Sequence, residues 1–217
     1  MIREEGTVLE PNEIKSVIFD VGGTLAYDEP NYADGFAAMM TGLGIPTSAE
    51  RYREASTAAQ DDLPPAPAEV GEWRVWSAGY RKAILKQLGV ADIDLERLDG
   101  IAARRFLYYT RARTYPESMF VLRCLRWAGY EVGIISNISP VLPYLLSELG
   151  ITRYIDFAVA SDTFGVAKPD PSIFVEGLRL AKQDAHHCMY VGDGMEPDVM
   201  GSSGVGMLPV LIDRDEL

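Results

Sequence analysis

The feature that most constrains the fold of this chain is a set of five short apolar runs, each followed closely by a polar residue. The runs are rich in Val, Ile, Phe and Tyr, which is typical of buried strands. We predict strands over Val17 to Phe19, Glu131 to Ile135, Phe157 to Ala160, Cys188 to Val191 and Leu208 to Ile212. Four of them alternate with segments of helical period, and this pattern predicts an α/β fold with a Rossmann-like, doubly wound parallel sheet.

Proline and glycine mark the ends of the helices between these strands. We place helix starts at Pro116, at Ser139-Pro140 and at Asp170-Pro171, and helix ends at Gly129 and Gly150. In the last of these starts, Asp170 is the expected N-cap and the proline is the expected first helical residue.

The first two strands are separated by far more residues than one crossover needs, and the stretch from about Glu29 to Thr110 contains no convincing strand. Its periodicity predicts helices over Ala33 to Leu43, Ala49 to Gln60, Glu69 to Leu88 and Leu95 to Tyr109. We therefore expect two domains: an α/β core of residues 1–28 and 113–217, and an inserted helical domain of residues 29–112.

The composition excludes several classes of partner. The net charge of −12 argues against nucleic acid and against anionic membranes, both of which require a basic surface. The first residues are acidic and lack the apolar stretch of a signal peptide, so a cytoplasmic location is expected. Cys124 and Cys188 lie far apart in apolar segments, without metal-ligand spacing, and are expected to be reduced core thiols.

Polar residues able to do chemistry follow the predicted strands with regular placement. They are Asp20, Ser136 with Asn137, Asp162, Asp193 and Asp213. Because parallel strands end at one edge of a sheet, these residues should share the edge at which open α/β folds bind their ligands.

Three carboxylates should lie close together at this edge. Asp20 ends the first predicted strand, Asp193 ends the fourth, and Asp198 falls in the first turn of a helix that Pro197 opens. Their mutual repulsion would be relieved by a divalent cation such as Mg²⁺, which prefers oxygen ligands. Lys168, in the loop before Pro169, could add a fixed positive charge.

Four motifs occur in a recognisable order: Asp20-Val21-Gly22-Gly23-Thr24, Ser136-Asn137, Lys168-Pro169, and Gly192-Asp193 with Asp198. This arrangement resembles the haloacid dehalogenase superfamily of hydrolases, in its phosphatase-like branch. The match covers the predicted sheet domain, and the helical insertion is similar to the first type of cap in that superfamily. The resemblance implies a small phosphorylated metabolite as substrate and Mg²⁺ as cofactor.

The resemblance also implies a role for each motif residue. Asp20 would attack phosphorus and form an aspartyl-phosphate, and Lys168 would hold this carboxylate and the phosphate together. The residues expected to hold the phosphoryl oxygens are Gly23, Thr24, Ser136 and Asn137. The residues expected to hold the metal are Asp20, Gly22 through its carbonyl, Asp193 and Asp198.

Gly22 departs from the phosphatase pattern. Phosphatases of this superfamily carry at its position a carboxylate that protonates the leaving oxygen. Such a group contributes about a hundred- to ten-thousandfold to the rate, or roughly 3 to 5 kcal/mol of barrier. A glycine keeps the backbone carbonyl and loses this acid.

The departure leaves several alternatives open. The leaving group could need no proton, or Tyr27, Asp28, Glu29, Lys82 or Lys86 could supply one. The protein could also bind a phosphorylated ligand as a catalytically impaired or regulatory relative. Superfamily dehalogenases lack the same carboxylate, and Arg51 is spaced like their halide-side arginine. Phosphonate-cleaving members use a cap lysine, for which Lys82 or Lys86 would be the candidates.

Overall fold

The computed structural model of the chain describes residues 14–61, 63–64, 67, 70–105, 111–138 and 142–214. The chain forms two compact units, one of Met1–Tyr27 with Thr114–Leu217 and the other of Asp28–Arg113. Each unit has its own cluster of buried apolar side chains.

The first unit is built on a five-stranded parallel sheet. Its strands are β1 (Ser16–Phe19), β4 (Glu131–Ser136), β5 (Phe157–Ala160), β6 (Cys188–Gly192) and β7 (Leu208–Leu211). They lie in the order β5-β4-β1-β6-β7. The predicted α/β fold is confirmed, and every predicted strand end lies within one residue of the observed one.

The central strand β1 determines where the ligand edge of the sheet lies. Phe19 pairs in register with Ile134 of β4 on one side and with Val191 of β6 on the other. The chain passes from β1 first to the β4 side and later to the β6 side, so β1 is the switch point of the topology. Ligands of open α/β sheets bind at the carboxyl end of such a strand, and Asp20 is the next residue.

Helices and short turns connect the strands of this unit. The helices are α5 (Ser118–Trp127), α6 (Leu142–Glu148), α7 (Ser161–Phe164), α8 (Pro171–Ala181) and α9 (Gly201–Gly204). The Asp170 side chain accepts a hydrogen bond from the Ser172 N–H, so the predicted cap of α8 is confirmed. Gly129, at φ +85°, follows α5 as predicted. The predicted start of α6 at Ser139-Pro140 lies outside the described residues.

The second unit is mainly helical over its described residues. Its helices are α1 (Tyr32–Gly42), α2 (Ala49–Asp61), α3 (Val70–Gln87) and α4 (Asp92–Arg105). Phe36, Met39 and Met40 of α1 are buried with Ile84 and Leu85 of α3 in one apolar cluster. The predicted start of α3 at Glu69 and the predicted end of α4 at Tyr109 lie outside the described residues.

A small two-stranded sheet was not predicted from the sequence. It pairs β2 (Ala26–Glu29) with β3 (Arg111–Thr114), at the two points where the chain passes between the units. The expectation of no strand from Glu29 to Thr110 is thus wrong at its first residue. Both strands are short and largely polar, without the apolar alternation that marks a half-buried strand. Glu29 and Arg113 join them by an ion pair of 2.9 Å.

The described helices include none with the length and apolar character that a membrane span requires. The two cysteines are free thiols, as predicted, but only one belongs to the core. Cys124 lies on the exposed face of α5 and Cys188 is fully buried at the start of β6. The expectation that both are core thiols is therefore wrong for Cys124, because the apolar stripe of α5 faces away from it.

The two thiols should react with alkylating agents at very different rates. Desolvation raises the pKa of Cys188 to about 12, and its side chain is inaccessible, so the thiolate that reacts is almost absent. In the native protein, thiol titration should count one rapidly reacting group, and denaturant should release the second. Cys124→Ser should remove the rapid group. Two equally reactive thiols in the native protein would contradict the burial of Cys188.

Candidate active site

Asp20 lies at the carboxyl end of the central strand and is nearly buried, with 7% of its surface exposed. Its backbone N–H donates to the Val191 carbonyl at 2.9 Å, which continues the β1–β6 pairing by one residue. The chain then makes a tight loop in which the N–H groups of Leu25 and Ala26 both donate to the Val21 carbonyl. The loop holds Asp20 at the carboxyl end of β1, on the ligand edge of the sheet.

The two glycines of this loop meet very different surroundings. Gly23 has φ +71°, and a Cβ there would lie 2.1 Å from Oδ2 of Asp193, so only glycine allows this approach. A Cβ on Gly22 would have no atom within 4 Å. The close approach of Asp193 thus requires a glycine at position 23, whereas no neighbouring atom would block a side chain at position 22.

Lys168 is buried with all three of its ammonium protons engaged by the protein. Its Nζ lies 2.8 Å from Oδ1 of Asp20, 2.6 Å from Oδ1 of Asp198 and 3.0 Å from the Tyr190 hydroxyl. An ammonium group has three protons to donate. Lys168 therefore aligns two carboxylates and offsets one of their two negative charges, and a phosphoryl oxygen would have to share one of these protons.

Asn137 holds the backbone of Lys168 in place. Its amide donates to the Lys168 carbonyl at 2.9 Å, and its oxygen accepts from the Lys168 N–H at 2.8 Å. The neighbouring Ser136 is buried at the end of β4, and its hydroxyl has no hydrogen-bond partner within the described part of the chain. Both residues are among the four predicted to hold phosphate; Ser136 has its hydroxyl available, and Asn137 is largely committed to Lys168.

Asp198 is held in one orientation by three groups. It lies in a π-helical turn, Met195–Met200, rather than in the first turn of a helix opened by Pro197 as predicted. Its Oδ2 accepts from the Gly194 N–H at 2.8 Å, and its Oδ1 faces Lys168 and Tyr190. A Cβ on Gly192 would lie 2.4 Å from the Asp198 carboxyl carbon, so the glycine that ends β6 makes room for this residue.

The three predicted carboxylates come together as expected. One oxygen from each of Asp20, Asp193 and Asp198 lies within 4.8 Å of the others. Partial burial, followed by the charge of Asp20, raises the pKa of Asp193 above its ordinary value. With Lys168, the group has three negative charges and one positive charge, a formal excess of two. An all-oxygen donor set with this excess charge fits a hard divalent cation such as Mg²⁺.

Backbone amides beside Asp20 are unpaired. The N–H groups of Val21, Gly22 and Thr24 have no hydrogen-bond partner among the residues that the structure describes, whereas that of Gly23 donates to the Ala26 carbonyl at 2.8 Å. Val21 and Thr24 are buried whereas Gly22 is exposed, and buried N–H groups are rarely left unsatisfied. Their position next to Asp20 suits an anion.

The other predicted residues have varied surroundings. The Thr24 hydroxyl was predicted to contact phosphate. It donates a long hydrogen bond, 3.4 Å, to Oδ1 of Asp193. Asp162 and Asp213 also follow strands, but neither belongs to the group of three carboxylates. The role of the Gly22 carbonyl as a metal ligand stays a prediction.

The sequence analysis did not identify Tyr190 as part of the site. Burial, followed by the charges of Asp20 and Asp198, raises the pKa of Tyr190, so its hydroxyl stays protonated. This hydroxyl donates to the Ile135 carbonyl at 2.8 Å while it accepts from Lys168. The only signal in the sequence was a tyrosine inside an otherwise apolar strand, where a buried hydroxyl needs a partner.

Arg214 is a second residue that the sequence analysis missed. Its guanidinium donates to the Thr24 carbonyl at 2.7 Å and to the Gly23 carbonyl at 3.4 Å, pairs with Glu117, and stacks 3.6 Å above the Tyr115 ring. It thereby fixes the carbonyl side of the loop whose N–H groups lie beside Asp20. It lies past the last strand, where no motif drew attention to it.

Comparison with known proteins agrees with this geometry. Residues 14–206 match the model of the haloacid dehalogenase-like hydrolases. The chain belongs to this family of hydrolases. It is 28% identical over 209 residues to a glyceraldehyde 3-phosphate phosphatase of Methanopyrus kandleri, a match that covers 93% of this chain and 84% of the relative.

Solved structures of the family show the same fold. The HAD hydrolase YfnB of Bacillus subtilis, bound to magnesium, is 19% identical with a TM-score of 0.74, over 94% of this chain and 91% of that one. A 2-haloacid dehalogenase of Pseudomonas syringae is 25% identical with a TM-score of 0.60, over 94% and 91%. A magnesium-bound hydrolase and a 2-haloacid dehalogenase thus share this fold. The reaction therefore depends on the side chains of the site.

Removal of the Tyr190 hydroxyl should lower the free energy of unfolding of the protein. Tyr190→Phe leaves the Ile135 carbonyl and one Lys168 proton without their buried partner, which costs about 1 to 3 kcal/mol. Denaturant unfolding should show this decrease in the free energy of unfolding. The matched control is Tyr144→Phe, since Tyr144 is exposed and its variant should be neutral. Equal stability of the two variants would contradict the hydrogen bonds assigned to Tyr190.

Proposed function

We propose that the protein is a Mg²⁺-dependent phosphatase that acts on a small phosphorylated metabolite through an aspartyl-phosphate on Asp20. The observation that carries this proposal is the Asp20 carboxylate, held by Lys168 and set beside unpaired backbone N–H groups and two further carboxylates. A nucleophile, an anion site and a cation site thus adjoin at one strand end.

The proposed reaction has two steps. In the first, an Asp20 carboxylate oxygen attacks phosphorus, and the bond between phosphorus and the leaving oxygen breaks. In the second, water attacks phosphorus, the bond to Asp20 breaks, and inorganic phosphate and a proton are released. The leaving oxygen takes its proton from solvent or from a group other than residue 22, because Gly22 has none.

The residues of the site would act mainly through position and charge, which is most of what phosphoryl transfer requires. Lys168 orients Asp20 through the contact at 2.8 Å. The N–H groups of Val21, Gly22 and Thr24 and the Ser136 hydroxyl are the groups available for the phosphoryl oxygens.

Asp20, Asp193, Asp198 and the Gly22 carbonyl would hold the Mg²⁺ ion. The bound ion would neutralise charge on the phosphoryl group. The fit rests on the oxygen donors and on the excess charge of two described above.

The substrate class follows from the relatives and from the site. A glyceraldehyde 3-phosphate phosphatase is similar over most of both chains, and a small phosphate monoester is the substrate class that we propose here. Without an acid at Gly22, the protein should favour leaving groups that need little protonation, such as acyl and aryl phosphates.

The structure favours the phosphatase over the two other enzyme classes. A metal-independent dehalogenase has no use for Asp193 and Asp198 as a pair of carboxylates beside Asp20. A phosphonatase-like reaction needs a neutral lysine, but Lys82 pairs with Glu96 and Lys86 pairs with Asp92 within the helical unit.

Phosphate release should depend on Asp20. With Mg²⁺ and an aryl phosphate, Asp20→Asn should lower kcat by about a thousandfold or more, because an amide is a poor nucleophile. The control is Asp162→Asn, which makes the same change in α7, two residues after the end of β5, and should retain activity. If no activated phosphate is hydrolysed, the protein is the impaired or regulatory relative. Chelator-resistant halide release from a 2-haloacid would instead establish the dehalogenase.

A carboxylate introduced at residue 22 should restore the missing acid. Gly22→Asp has open space for its side chain, and it should recover part of the roughly hundred- to ten-thousandfold contribution of a general acid. The gain should appear on alkyl phosphates and hardly on aryl phosphates. Gly22→Asn is the control of equal shape without a proton to give. Equal rates for the two variants on alkyl phosphates would show that another group supplies the proton.

A further inference from the structure

A second group of metal-ligating side chains lies at the opposite end of strand β6 from the active site. Asp184, His186 and His187 precede Cys188, the first residue of the strand, whereas Asp193 follows its last residue. The chain contains two histidines in 217 residues, and both belong to this group.

The donor atoms of the group are near one another but not bonded to one another. One ligand atom from each residue lies within 4.8 Å of the others. The imidazole rings have their centroids 4.0 Å apart. Among the ion pairs of the described residues, none joins Asp184 to either histidine, and the Asp184 carboxylate does not cap the turn that it begins. The lone pairs of all three side chains therefore remain available to a ligand.

The backbone beneath these side chains is fixed. The residues form a 3₁₀ turn, Ala185–His187, closed by a hydrogen bond of 2.9 Å from the His187 N–H to the Asp184 carbonyl. The His187 carbonyl accepts from the Lys15 N–H at 2.9 Å, which attaches the turn to the start of β1. Ala185 packs against the buried apolar cluster of the sheet. The three ligands thus extend from a rigid frame, so little ordering is needed when an ion binds.

The donor set selects a different ion from that of the active site. Two imidazoles and one carboxylate suit Zn²⁺ and related transition metals, whereas Mg²⁺ prefers oxygen alone. Cys188 is not a fourth ligand, because its side chain is fully buried in the core. Asp184 and His186 are exposed, so solvent can complete the coordination.

We propose that Asp184, His186 and His187 form a Zn²⁺-class transition-metal site, separate from the active site. The ion would link the side chains of Asp184, His186 and His187 across the turn and stabilise the start of β6. This site is independent of the phosphatase proposal, because it shares no residue with the carboxylate group of Asp20.

The test is calorimetric titration of Zn²⁺ into the full chain carrying no histidine tag. The expected result is one site per chain that His186→Asn and His187→Asn each weaken by about tenfold or more, since even the loss of a residue behind a ligand can cost that much. Asp184→Asn should weaken it as well. The matched control for this change is Glu148→Gln, an exposed carboxylate of α6, which should leave the affinity unchanged.

A second variant separates this site from the active site. Asp193→Asn should leave the high-affinity Zn²⁺ site intact, and proton NMR should show both imidazole signals shifting together with one equivalent of Zn²⁺. Because the chain has only these two histidines, the single substitutions assign both signals. Zn²⁺ affinity that is lost in Asp193→Asn and kept in the histidine variants would overturn the proposal. Single histidine variants that bind as tightly as the unchanged protein would do so too.

Discussion

The ammonium group of Lys168, buried between the carboxylates of Asp20 and Asp198, is the interaction on which the rest of the site depends. Its three partners come from separate places along the chain: the end of β1, the interior of β6 and the turn after β6. Two buried carboxylates without this charge would repel each other, and removal of one partner of such a buried pair typically costs about 3 to 5 kcal/mol. The same contacts hold the carboxyl ends of β1 and β6 together around Lys168.

Three further residues hold Lys168 and the loop after Asp20 in place. Asn137 fixes the backbone of Lys168, Tyr190 accepts its third proton, and Arg214 fixes the carbonyls of the loop after Asp20. With these contacts made, the loop places beside Asp20 several N–H groups that have no partner among the described residues. Gly22 is exposed at the same loop, with room for a side chain. Residue 22 therefore offers no proton for the leaving group of the proposed reaction.

Most of the fold and the charged residues of the site could be predicted from the sequence, because both depend on local patterns. Apolar runs fixed the strands, and the residue after each run, such as Asp20 or Asp193, had to lie at the ligand edge. The contacts of Tyr190 and Arg214 could not be predicted, since they depend on strand register and on a segment beyond the last strand. The β2–β3 pair was missed because short polar strands such as Arg111–Thr114 carry no periodic signal. The role predicted for Asn137, to hold phosphoryl oxygens, stays a prediction, and its bonds to Lys168 could not be predicted because they require the folded loop.

The central claim is that Asp20 becomes phosphorylated during turnover. The most direct measurement is rapid acid quench of the protein with an acyl or aryl phosphate and Mg²⁺, followed by mass spectrometry of the peptides. The account predicts a phosphoryl group on the peptide that contains Asp20, formed at a rate at least equal to kcat and absent in Asp20→Asn. Substrate turnover with no phosphorylated Asp20 at any quench time, or a phosphoryl group on another residue, would contradict it.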